Sequence, residues 1–189
     1  MAGTLRAVRV FISYPSDMKV FVTKAKDVIA AYNPRWERDH QISVKHLTFR
    51  DLPSSHDPSG VQDFILNSIS KQHEIFLGLM GPRFGKPSSG FGSGTEAEYA
   101  AAVTASEAKE LPMHIMFGFS EAPLNPFSID PDQLKRVKAF RKRIAKTQLH
   151  FVWKSAPQFT KEFGQQLDAV IYRFATDPNY FVSGGLRYK

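Results

Sequence analysis

Cysteine is absent from the 189 residues of this sequence. The absence excludes disulfide scaffolds, thiolate metal sites and cysteine nucleophiles, and it suits the reducing cytoplasm, where we expect the protein to reside. No N-terminal segment has the charged, apolar and small-residue order of a signal peptide, and no apolar run is long enough to span a bilayer. A hydrophobic content of 42% is enough to build a core without metal or disulfides. We therefore expect one soluble domain over residues 1–189 that does not associate with membranes.

The common nucleotide-binding motifs are missing as well. The segment from Gly81 to Pro87 reads GPRFGKP, whereas a Walker loop needs four residues between its glycines and a hydroxyl residue after the lysine. The first apolar run continues into YPSD at residues 14–17, which contains no glycine for a dinucleotide fingerprint. The six histidines show no i, i+4 pair and have no cysteine to complete a zinc site. The sequence therefore predicts neither of these phosphate-binding loops and no metal site.

Short β-type runs alternate with segments of helical spacing. The run VRVFIS at residues 8–13 has the continuous hydrophobicity of a buried parallel strand, and apolar residues then recur at helical intervals from Met18 to Tyr32, before Asn33-Pro34 ends the helix. Alternating strands and helices without hairpin signals indicate right-handed βαβ crossovers. The sequence thus predicts a flavodoxin-like α/β fold, with a five-stranded parallel sheet in the order 2-1-3-4-5 and helices on both faces. We expect strands at residues 8–13, 42–49, 74–80, 113–119 and 149–153, and helices at 18–32, 61–69, 95–106, 134–144 and 159–174.

The predicted strand order selects the loops that form a ligand site. Ligands of such sheets bind outside the carboxyl ends of the strands, where the order reverses between strands one and three. This switch point involves residues 13–17 and 81–94, and the loop at residues 50–60 flanks it. The helix predicted at residues 134–144 is expected to lie away from it.

Two glutamates at the start of the helix after the third strand are the candidate acids. Ser93 and Glu96 match a capping box, and so do Thr95 and Glu98, but only one pair can begin the helix. If Ser93 is the cap, Glu96 is structural and Glu98 faces the strand ends. If Thr95 is the cap, Glu98 is itself the capping acid. The spacing leaves both alternatives open.

The positive charge is concentrated in one segment. The formal net charge is +7, and seven lysines and arginines crowd the segment from Lys135 to Lys146. We favour the interpretation that this segment is the solvated face of a helix. A partner domain, RNA and DNA are the alternatives.

The motifs around the predicted switch point resemble a known family. The chain is similar to the TIR-like domain of unknown function at the N-terminus of many bacterial signalling ATPases and repeat proteins. The resemblance covers nearly the whole chain, and its most specific part is the SGTxxEY segment, which Ser93 begins and Tyr99 ends. The other matching segments are RVFIS at residues 9–13, IFLG at 75–78, RFG at 83–85 and IDPDQL at 129–134, followed by Val137, Phe140 and Arg141.

The resemblance implies an activity. TIR domains of the enzymatic kind cleave NAD⁺ at the nicotinamide–ribose bond with a glutamate on the helix after the third strand, and by motif position this catalytic residue is Glu98 rather than Glu96. Several TIR enzymes carry a tryptophan four residues before that glutamate. Gly94 holds the position here, and we expect Phe84 or Phe91 to supply the aromatic surface. NAD⁺ is the implied substrate, and no further cofactor is expected.

The substrate contacts are expected from the same loops. Backbone amides at the helix start, with Arg50 or Arg83, are suited to bind the pyrophosphate. The remaining residues expected to bind the substrate are Ser13, Tyr14, Phe84, Ser93 and Thr95.

Two functions follow from this interpretation. The first is an NAD⁺ nucleosidase, of the hydrolase or ADP-ribosyl cyclase type, that acts as an effector in bacterial antiphage defence signalling. The alternative is a non-catalytic TIR-like module that assembles with itself or with a sensor or ATPase partner. An open cleft with an aromatic side chain near Glu98 favours the enzyme, whereas a cleft plugged by Arg83 or Phe84 favours the module.

Overall fold

The computed structural model describes residues 5–51, 73–88, 90–125, 127, 129–177 and 180. The helix predicted at residues 61–69 and most of the flanking loop at residues 50–60 lie outside these ranges.

The sheet has five parallel strands in the order β2-β1-β3-β4-β5, which is the flavodoxin-like order and confirms the predicted fold class. The central strand β3 is buried at every residue, as expected for a strand covered on both faces. β5 is shorter than predicted and pairs only with the last three residues of β4. The strands are β1 (Arg6–Ser13), β2 (Ile42–Leu47), β3 (Ile75–Met80), β4 (His114–Ser120) and β5 (Phe151–Trp153).

Helices cover both faces of the sheet. On one face, α1 and α4 pack on a core that includes Val10, Leu77 and Trp153. On the other face, α2 and α3 pack on a phenylalanine-rich core around Phe76, Phe117 and Phe140. The described helices are α1 (Lys19–His40), α2 (Gly94–Glu107), α3 (Pro131–Ile144) and α4 (Ala156–Thr176).

The first helix does not end at Asn33-Pro34, and this prediction was wrong. α1 continues through Pro34 to His40 because its last turns have tertiary contacts. Trp36 is fully buried and donates its indole N–H to Asp168 at 2.7 Å. The side-chain amide of Asn33 exchanges two 2.8 Å hydrogen bonds with the backbone of Val44, which joins α1 to β2. These contacts offset the backbone hydrogen bond that proline removes from a helix interior.

Among the described residues, no helix combines the length and the apolar character that crossing a membrane requires.

Candidate functional site

A cavity of about 560 Å³ lies at the carboxyl ends of the strands, at the predicted switch point. Its volume is in the usual range for small-molecule sites. The segments after β1, β2 and β3 and the first turns of α2 and α3 all contribute to its wall. The lining residues are Tyr14, Pro15, Ser16, Phe49, Arg83, Phe84, Gly85, Lys86, Ser93, Gly94, Thr95, Glu98, Asp130 and Gln133.

The start of α2 distinguishes the two glutamates. Ser93 is the N-cap, because its hydroxyl accepts a hydrogen bond from the amide of Glu96 at 3.1 Å. Glu96 in turn accepts from the amide of Gly92 at 2.8 Å and forms an ion pair with Arg143. Glu96 therefore stabilises the helix start, and the alternative in which Thr95 is the cap was wrong.

Glu98 is left to face the strand ends. It lines the cavity although only 7% of it is exposed. The hydroxyl of Ser13, the last residue of β1, donates a hydrogen bond to its Oε2. Ser13 is itself 1% exposed and is not part of the lining, so the structure places it against Glu98 and not against the ligand space.

An aromatic pair borders the cavity. The rings of Tyr14 and Phe49 lie 6.1 Å apart at an interplanar angle of 40°, and Phe49 keeps 39% of its surface exposed. Arg50, expected to bind pyrophosphate, is outside the lining, and its guanidinium lies 5.6 Å from the Phe49 ring. Tyr14 and Phe49 are thus the ring faces that a planar ligand can meet.

The two phenylalanines expected to replace the tryptophan differ from this pair. Phe84 lines the cavity, but it is 4% exposed and packs edge-to-face on Phe140, 5.6 Å away. Phe91 is not part of the lining. Phe84 is therefore mainly a core residue. Neither it nor the exposed Arg83 plugs the cleft, since the cavity remains open beside both side chains.

The cavity wall also carries groups suited to an anion. Arg83 and Lys86 are exposed side chains of the loop after β3. Within the described chain, no group accepts a hydrogen bond from the amides of Gly94 and Thr95, at the positive end of α2. Cations and oriented amides together are a common arrangement for binding phosphate groups.

Gln133 of α3 holds the loop after β3. Its Oε1 accepts hydrogen bonds from the amides of Phe84 and Gly85 at 2.8 and 2.9 Å. Asp130, the N-cap of α3, lines the cavity beside it. The expectation that this helix lies away from the site was therefore wrong for its first turn. The reason is that the β3 loop reaches across to it.

Asp17 lies where the loops after β1 and β3 meet. Its Oδ2 is 3.4 Å from the amide of Arg83, and burial raises the pKa of its carboxyl group. A Cβ atom at Gly81 would lie 2.2 Å from the Met18 side chain and 2.9 Å from Asp17 Oδ2, so a larger residue there would require these two side chains to move.

Several lining residues were missed by the sequence interpretation, namely Phe49, Lys86, Asp130 and Gln133. Three of them stood in segments already singled out, Lys86 in the loop after strand three and both Asp130 and Gln133 in the IDPDQL segment. Phe49 carried no signal beyond its place at the end of the second predicted strand. In the described part of the chain, no cluster of three or more His, Asp or Glu side chains is suited to a metal ion.

Comparison with known proteins gives no family. No protein-family model and no curated protein sequence matches the chain. Among solved structures, apo translation elongation factor SelB from Methanococcus maripaludis is similar at 12% identity and a TM-score of 0.49, over 90% of this chain and 36% of SelB, so the chain spans about a third of that protein. Oxidised flavodoxin 1 from Bacillus cereus is similar at 12% identity and a TM-score of 0.42, over 89% of this chain and 97% of flavodoxin. The fold assignment rests on the strand order of the sheet.

Proposed function

We propose that the protein is a TIR-like effector that cleaves the nicotinamide–ribose bond of NAD⁺, with Glu98 as its catalytic residue. The observation that carries the proposal is the position of the Glu98 carboxylate, mostly buried yet part of the wall of an open cavity at the switch point. A carboxyl group held in this way at the edge of a ligand-sized cavity is a candidate for chemistry.

The bond cleavage suits a single carboxylate. The C1′–N bond breaks with its electron pair passing to the pyridinium nitrogen, so nicotinamide leaves as a neutral molecule without acid catalysis. The ribose acquires oxocarbenium character, which a nearby carboxylate stabilises. Water then adds to C1′ and releases a proton, which yields ADP-ribose. In the cyclase reaction an adenine nitrogen takes the place of water.

The rest of the wall suits the other parts of NAD⁺. The Tyr14–Phe49 pair offers stacking faces for a planar ring. Arg83, Lys86 and the amides at the start of α2 offer positive charge to the pyrophosphate. These groups surround one cavity, so ring, phosphate and carboxylate contacts are compatible with one bound molecule.

The direct test is incubation of concentrated protein with NAD⁺, followed by chromatography for nicotinamide. Release of nicotinamide together with ADP-ribose or its cyclic form is expected, and Glu98→Gln should remove it. No nicotinamide from well-folded protein at any concentration would contradict the proposal and favour the non-catalytic interaction module.

We further propose that the domain works in an assembly, either with itself or with a sensor or ATPase partner. The nicotinamide released per molecule should then rise with protein concentration, measured over about a hundredfold range with light scattering alongside. A constant, substantial rate from a strictly monomeric sample would contradict the assembly.

A further inference from the structure

The outward face of α3 carries a charge that the proposed function does not use. From Gln133 to Lys146 the sequence contains seven lysines and arginines and no acidic residue. These seven charges equal the net charge of +7 of the entire chain, so the remaining residues are neutral overall. The whole positive excess of the protein therefore lies on one helix and the turn that follows it.

Two of the seven cations have acidic partners. Arg141 lies 2.7 Å from Glu121, and Arg143 forms an ion pair with Glu96. The other five are exposed and take part in no ion pair within the described ranges: Lys135, Arg136, Lys138, Lys142 and Lys146.

The free lysines form a stripe. Val137, Phe140 and Ile144 are buried against the sheet, which turns the opposite side of α3 towards solvent. Lysines at 135, 138 and 142 follow the i, i+3 and i+7 spacing of one helix face, and Lys146 lies in the turn after the helix. At 1.5 Å per residue the helical part of this stripe, from Lys135 to Lys142, is about 10 Å long. Like charges at such spacing repel one another, and a bound polyanion would relieve the repulsion.

We propose that this stripe binds the phosphate backbone of a double-stranded nucleic acid without sequence preference. Exposed lysines act as point charges for phosphate, and a helix fits a groove about 12 Å wide. The exposed side chains between the lysines are those of Arg136, Ala139, Arg143 and Ala145. None of them is an aromatic ring on which the bases of a single strand could stack. A bilayer is disfavoured because the apolar side of α3 is already buried and cannot insert.

The test is fluorescence anisotropy of a labelled duplex of about 20 base pairs, titrated with the full chain in the absence of NAD⁺. The assay reads binding alone, so its result is independent of the proposed cleavage. With four phosphate contacts, one for each lysine of the stripe, the logarithmic salt dependence has a slope of about −3.6, equivalent to a loss of affinity of about 150-fold between about 50 and 200 mM salt.

A charge-matched pair of variants locates the surface. Lys135→Glu, Lys138→Glu and Lys142→Glu together should weaken binding at least about tenfold. The control variant changes the net charge equally at three exposed lysines elsewhere, by Lys19→Glu, Lys45→Glu and Lys161→Glu. It should weaken duplex binding less than about threefold. Circular dichroism confirms that both variants fold.

Three results would overturn the proposal. The first is an equal loss of duplex affinity in the two variants. The second is no duplex binding at about 50 mM salt, and the third is tighter binding to phosphatidylserine vesicles or to single strands than to the duplex.

Discussion

The hydroxyl of Ser13 donates a hydrogen bond to the carboxylate of Glu98, across 85 positions of sequence. The bond joins the last residue of β1 to α2 and selects one orientation of a side chain that lines the cavity. Ser13 itself does not line the cavity. We therefore assign Ser13 as a positioning residue for Glu98. This role differs from the direct contact with substrate that the sequence predicted for Ser13.

Replacement Ser13→Ala should separate orientation from binding. If Glu98 acts on NAD⁺, kcat should fall about tenfold, because the carboxylate loses a hydrogen-bond donor that helps to orient it, while KM changes less than about threefold. The free energy of unfolding in urea should drop by about 1–2 kcal/mol, because a buried hydrogen bond is lost. A rise of KM in proportion to the loss of kcat would instead place Ser13 in contact with the substrate.

The two glutamates of α2 should respond oppositely to substitution. Glu98→Gln retains an oxygen that accepts from Ser13, so the fold should persist while nicotinamide release is lost. Glu96→Ala removes the acceptor of the Gly92 amide and the partner of Arg143, and should lower the unfolding free energy by about 0.5–2 kcal/mol. Chromatography and urea denaturation on both variants check this. Cleavage lost in the Glu96 variant at unchanged stability, and retained in the Glu98 variant, would reverse the assignment.

The aromatic rim should contribute to substrate affinity. Phe49→Ala is expected to raise KM for NAD⁺ about tenfold, since ring stacking contributes about 1–3 kcal/mol per base. Phe91→Ala is a matched control, because the two rings are 39% and 38% exposed but only Phe49 lines the cavity. Initial rates over a range of NAD⁺ concentrations measure the effect. Equal KM changes in the two variants would mean that the Tyr14–Phe49 pair is not the stacking site.

Acid should destabilise the fold through His114. Burial, and then the charge of Arg173, lowers the pKa of His114 from 6.5 to about 4, and Tyr180 is its hydrogen-bonding neighbour at 3.4 Å. The folded state keeps this ring neutral, whereas the unfolded chain takes up a proton as the pH falls below about 6.5. Stability is therefore lost as the pH falls from about 6.5 towards 4.

Urea denaturation at about pH 7.5 and pH 5 measures this contribution. His114 should account for a loss of about 2 kcal/mol between these two values. In His114→Gln the loss should be smaller by that amount, while the other histidines contribute equally to both proteins. An identical pH dependence in the two proteins would show that His114 titrates normally in the folded state.

The layered architecture was predictable because it follows from the local spacing of apolar residues along the sequence. Strand-type and helix-type apolar patterns alternate along the chain. That alternation predicts a parallel sheet with its switch point between β1 and β3. The loops after β1 and β3 could therefore be named before any contact was known. The local pattern also gave one wrong prediction, because Asn33-Pro34 is typical of a helix end. The burial of Trp36 and the hydrogen bonds between Asn33 and Val44 stabilise the continuation of α1 beyond this point.

The identity of the side chains that meet in the site was decided by tertiary structure. The sequence offered two equivalent capping boxes, and they became distinguishable only when Glu98 met Ser13 and Glu96 met Arg143. The ring contact between Phe49 and Tyr14 and the hydrogen bonds from the loop after β3 to Gln133 are also contacts between residues that are distant in sequence. Periodicity along the chain reports which way a residue faces within its own element. The partner it meets there depends on how strands and helices from distant parts of the chain are packed together, and no local pattern contains that information.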